Sequence, residues 1–468
     1  MRKIEFLGAS LCAVVGLATG ACSSSSPAAA TDAGQTDTGA HQDAGKPATD
    51  AGKPTTDAGK PKADAPNNVV DASPPKTDSG KPVGAHVLVT YNGTANKAAP
   101  STMIAVNLTT KAIDGQIHLA DSQAITDTLN PARPPFLLEQ SLDVLVGIDP
   151  ASWTVDGTWS IPAPPSDSGA TADPYAVSVA TESQVYVLSF ASNDIAVFNT
   201  TTAADGGAPT SVIHLASLLQ PGDMDGFVDA TAGAYDATSK LLYVVLGNVN
   251  NAATTLDYMG NYDTICSTTT SSVIAIDTTT NTIASLGGTA PGGGIALKLY
   301  DPSGPSGFAY DAANARLLVF EAGCNPAPPP GDGGAPGAIK LRGVEAVDLK
   351  AKTSTILLDA STQGFPGGLE YIDSTHAVLG FIYPTPGTYL WDPTSATIGA
   401  ALPNAPSPFA YDGNGNLVGA SVVYGDSGTA TTNIVSMALA TGDVTTLQTN
   451  VIDIGMGYVG SVGVWPHP

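Results

Sequence analysis

The 468-residue sequence predicts an all-β fold, a seven-bladed β-propeller behind a disordered N-terminal tether, on three observations. The first is an internal repeat. VIAIDTTTNTI at 273–283 and IAVNLTTKAI at 104–113 each read as a strand, a polar turn and the start of another strand. Further copies centre on Asp149, Asn199, Asp348, Asp392 and Ala438, so that seven markers follow one another at 42, 50, 78, 71, 44 and 46 residues. The second observation is a hairpin that recurs upstream of the markers, as YDATSKLLY at 235–243, YDAANARLL at 310–318 and YDGNGNL at 411–417. The third is composition: 43% hydrophobic with only 6% aromatic and 13% charged residues suits many short β-branched strands better than a helical bundle. Two hairpins per repeat make a four-stranded antiparallel sheet that cannot bury both faces alone. Radial packing of such sheets is a propeller.

The ends of the repeat region predict how the ring closes. Residues 86–91 read as a second strand, followed by third and fourth strands near 103–108 and 113–119, so the first blade lacks an inner strand. Residues 457–465 have an inner-strand pattern and no blade of their own, which predicts that they complete blade one. The second copy, around 135–162, is the most degenerate, and six or eight blades also fit the pattern.

Before the repeats come two segments without a core. Arg2 and Lys3 precede an apolar run at 6–18 that is too short to span a bilayer permanently, the pattern of an export signal over 1–21. The run ends in TGAC at 19–22, which resembles the lipobox of bacterial lipoproteins, with Thr19 in place of the commoner Leu. The resemblance implies lipidation at Cys22, and Ser23 after it implies release to the outer membrane, on its periplasmic or its cell-surface side. Residues 22–83 are Ala, Asp, Gly, Pro, Thr and Lys, with TDAGKP at 49–54 and again at 56–61. This is the composition of a tether, with a flexible span of ~45 Å. The folded part, 84–468, then carries a net charge of −23 of the chain's −24. Such an acidic body repels phosphate backbones, so nucleic acid is excluded and the membrane is reached through the lipid alone. Neutral or cationic partners are expected, whether protein, glycan or small molecule, and the body is expected to be a monomer.

VYVLSFASNDIAVFNTTT at 185–202 and the copy at 273–283 resemble the YVTN-type propeller repeat of bacterial surface proteins, which is close to lactonase-like propellers. The resemblance implies the fold far more than an activity. Tyr186 and Asn193 match it as strand and turn residues, and no catalytic role is carried over.

Beyond Cys12 and Cys22 the chain holds only Cys266 and Cys324, an even pair suited to an oxidising compartment. Both fall between the second and third strands of neighbouring blades, in the two longest insertions, where equivalent loops on one face predict a disulfide. The same insertions are the candidate ligand surface. Tyr258, Asn261, Tyr262 and Asp263 precede Cys266, and Asp223, Asp225 and Asp229 lie in the link into the same blade, with a hint of calcium spacing short of an EF-hand loop. DGNGN at 412–416 aligns with the hairpin turns and reads as a turn. The six His, at 41, 86, 118, 214, 376 and 467, are scattered, and no G-x-S-x-G elbow, H-E-x-x-H helix or phosphate-cradling glycine loop occurs. No catalytic residue is assigned and no cofactor beyond calcium is expected. The sequence therefore points to a lipid-anchored binding module of the cell envelope. A lactonase-like or other metal-assisted small-molecule hydrolase, its site assembled from separate blades, is the alternative.

Overall fold

The computed structural model describes residues 84–92, 101–119, 124–127, 135–164, 171–181, 183–201, 205–223, 225–249, 254–256, 262–325, 340–382, 386–424, 430–453 and 458–465. The export signal, Cys22 and the tether lie outside them. The described residues form the seven antiparallel blades expected, six of four strands and one, blade 4, whose four strands are joined by a short fifth, Ile295–Ala296, with a separate two-stranded hairpin in the insertion of blade 4. The seven markers each fall at or next to the end of a third strand, and the Tyr-Asp hairpins join the inner strand to the second in blades 4, 5 and 7. Blade 2 begins with a short inner strand, Ala124–Asp127, that has no legible counterpart in the sequence. Among the described residues no helix is long and apolar enough to cross a membrane.

Second and third strands are apolar at consecutive positions, as in Leu241–Leu246 (LLYVVL) of blade 4, because both sides of each sheet are covered. Leu242, Val244 and Leu246 pack against blade 3, whereas Tyr243 and Val245 pack against blade 5. Seven such clusters of buried residues, one at each junction, make up the core, and the one between blades 7 and 1 joins Val418 and Ile434 to Val87 and Val89. Hydrogen bonds reinforce the junctions. The Tyr310 hydroxyl reaches Asp236 of the preceding blade, and Tyr371 reaches Asp311 in the same way.

Ring closure follows the predicted scheme. Tyr458–Trp465 is the inner strand of blade 1 and pairs antiparallel with His86–Asn92, His86 opposite Trp465 and Val87 opposite Val464. A polar and aromatic cluster sits at this seam. The buried His86 has its Nε2 2.8 Å from Asp114 Oδ2, which also accepts from Asn107 Nδ2 at 3.1 Å. Trp153, from blade 2, lies across the first and last strands of the ring, 4.7 Å from the His86 ring and 5.9 Å from that of Trp465. Gly115 makes room for it, since a Cβ there would stand 2.2 Å from the Trp153 Cβ.

Trp153→Ala is therefore expected to lower the unfolding free energy by about 3–5 kcal/mol, read from the urea midpoint, through loss of a buried aromatic. Gly115→Ala should destabilise through the clash, and both variants should loosen the seam between residues 86–92 and 458–465 first, as seen by proteolysis.

Candidate functional site

In this topology the links between blades and the connections from second to third strands share one face, here called the upper face. Inner strands line the central channel, so the residues that enter them rim its upper mouth. In three successive blades that entry is built alike. Asp173, Asp229 and Asp301 each take a left-handed backbone, with φ of 49°, 51° and 63°. Asp tolerates this region better than most residues with a Cβ. Their carbonyls accept from the first amide after the second strand: Phe190 N at 2.9 Å, Gly247 N at 2.8 Å and Ala322 N at 2.7 Å. The preceding carbonyls, of Ala172, Val228 and Tyr300, accept the next amide along. In blade 6 Phe365 takes this place and the acid is absent.

The sequence reading singled out Asp229 of this trio and missed the other two. An available signal was the Asp-Pro pair at 173–174 and again at 301–302, just ahead of two inner strands.

Asp223 and Asp225 belong to the same rim. Asp223 Oδ1 accepts from Gly226 N and Asp225 Oδ1 from Phe227 N, each at 3.0 Å. Asn193 of blade 3 clamps this turn, donating to the Gly226 carbonyl at 2.7 Å and accepting from Val228 N at 3.0 Å. Both carboxylates are half-buried, and behind them Asp229 is fully buried, with its Oδ2 accepting from Val249 N at 2.7 Å. Asp229 Oδ1 and Asp223 Oδ2 are buried without a hydrogen-bond partner. Burial holds the Asp229 carboxyl well above the usual carboxylate range, with Asp225, Asp223 and Asp301 adding to the rise against the Val249 hydrogen bond.

The neighbouring acids follow the same physics. Glu321, fully buried with neither oxygen bonded, is raised by burial and then by Glu345 and Asp301. Asp173 is pushed up to about 6, by burial first and Asp143 second. Glu345 is instead satisfied by the Lys298 and Leu299 amides at 2.8–3.0 Å. The Tyr175 hydroxyl is raised by burial, then by Asp173 and Asp301. The link into blade 5 thus reaches across to blade 3, with Gly304 (φ 77°) lying against the Tyr175 ring. Further along the channel wall, Glu370 of blade 6 takes the backbone N–H of Tyr411, and burial pushes its carboxyl up to about 8.

The predicted disulfide is present. Cys266 and Cys324 join the insertions of blades 4 and 5, beside a strand-like pairing in which Cys266 N donates to Asn325 O at 2.9 Å and Asn325 N to Thr264 O at 2.8 Å. Thr264 Oγ1 donates to Asp301 Oδ2 at 3.0 Å, which ties the stapled insertion to the acidic rim. Of the predicted contact residues, Tyr258 and Asn261 lie outside the described residues. Tyr262 and Asp263 stand on the hairpin Thr254–Leu256 with Tyr262–Thr264, whose side chains at those two positions also lie outside. Among the described residues no three Asp, Glu, His or Cys side chains are gathered closely enough to hold a metal ion.

No family model and no curated protein matches the sequence. Solved structures are similar only at low identity. A functionally unknown protein from Desulfotomaculum acetoxidans is similar at 12% identity over 82% of this chain and 99% of its own, with a TM-score of 0.48. A putative 6-phosphogluconolactonase from Bacteroides uniformis gives 10% identity, 81% and 99% coverage and a TM-score of 0.46. BamB from Moraxella catarrhalis gives 13%, 76% and 83%, and 0.37. At these values neither an activity nor a partner passes from them to this chain.

Two outcomes follow. Replacing Cys266 and Cys324 together by Ser should lower stability by about 2–4 kcal/mol in chemical denaturation, since the bridge closes a separation of 58 residues. Glu370 is raised in the folded state, so its contribution is complete below the unfolded carboxyl pKa and is lost as pH rises through about 8. The melting temperature of Glu370→Gln should therefore rise relative to wild type between pH 5 and pH 9, and a constant difference would contradict the assignment.

Proposed function

We propose that the chain is an exported, lipid-anchored protein of the cell envelope whose propeller binds a ligand on its upper face. The observation that carries this reading is the Cys266–Cys324 bridge, which fixes the two long insertions beside the acidic rim. A disulfide between surface insertions supports an oxidising compartment. The rim supports binding, because it gathers acidic side chains of which two oxygens, Asp223 Oδ2 and Asp229 Oδ1, are buried without a partner, and such atoms in a native fold call for an explanation such as a ligand. The tether would set the propeller away from the membrane, and Cys22 would carry the anchor, with several acyl chains giving stable attachment without a spanning helix. The strongly negative body favours a neutral or cationic ligand.

The anchoring half is tested by expressing the full chain in a Gram-negative host with labelled palmitate. Label and membrane fractionation are expected for the wild type and lost together in Cys22→Ser. A soluble, unlabelled wild type would overturn the lipid anchor.

A further inference from the structure

No further inference is drawn: the strongest candidate, the groove at the lower end of blade 6 lined by His376, Asp392, Ser395 and Thr397, carries nothing, because these side chains already bond one another, Asp373 and the backbone of the turns that form it, and nothing among the described residues shows what would occupy it.

Discussion

No blade of this protein can bury both of its faces without its two neighbours, and the pairing of His86–Asn92 with Tyr458–Trp465 gives blade 1 the inner strand it lacks. Alternate residues of one strand serve different junctions, as Tyr186 and Leu188 face blade 4 while Val185 and Val187 face blade 2. The core is thus a ring of seven junctions, and opening the seam would expose two apolar faces at once. The placement of Trp153 and the buried His86–Asp114 pair at that seam fits the demand, because the first and last strands of the ring meet there without a covalent link.

A closed ring also fixes what each face can do. On the lower face the acids that follow the third strands close their own turns: Asp277 accepts from Thr279 N at 2.8 Å, Asp348 from Lys350 N and Ala351 N at 2.8 and 2.7 Å, and Asp392 from Thr394 N at 2.8 Å. The Thr279 and Ser395 hydroxyls on Asp277 and Asp392 first, and these backbone bonds with them, hold their carboxyls below the usual range, and the backbone bonds alone lead at Asp348. On the upper face the carboxyl of Asp229 is held above it, because burial and other acids surround it. The same residue type closes turns on both faces, as Asp223 and Asp225 do on the upper one, and the contrast lies in the burial of Asp229 behind them.

Much of the architecture was legible because it repeats. Markers such as Asp277 and Asp348 are turn residues whose side chains bond the backbone two residues on, so their chemistry recurs with the fold. The inner strand of blade 2 was not legible, since four residues, AITD, carry too little pattern. The disulfide could be read because equivalent loops of adjacent blades must come together. The rim could be read only in part. Asp223, Asp225 and Asp229 are neighbours in sequence, whereas Asp173 and Asp301 join them through the packing of three blades, and a short Asp-Pro pair was their only local trace.

Hydrogen exchange measured on the full-length chain and on its Trp153→Ala variant bears most directly on the central idea, that the pairing of the first and last strands holds the ring closed. Faster exchange in the variant at residues 86–92 and 458–465, ahead of the strands of blades 4 and 5, is the predicted result. Exchange that rises evenly over all seven blades, or first in blades 4 and 5, would contradict it.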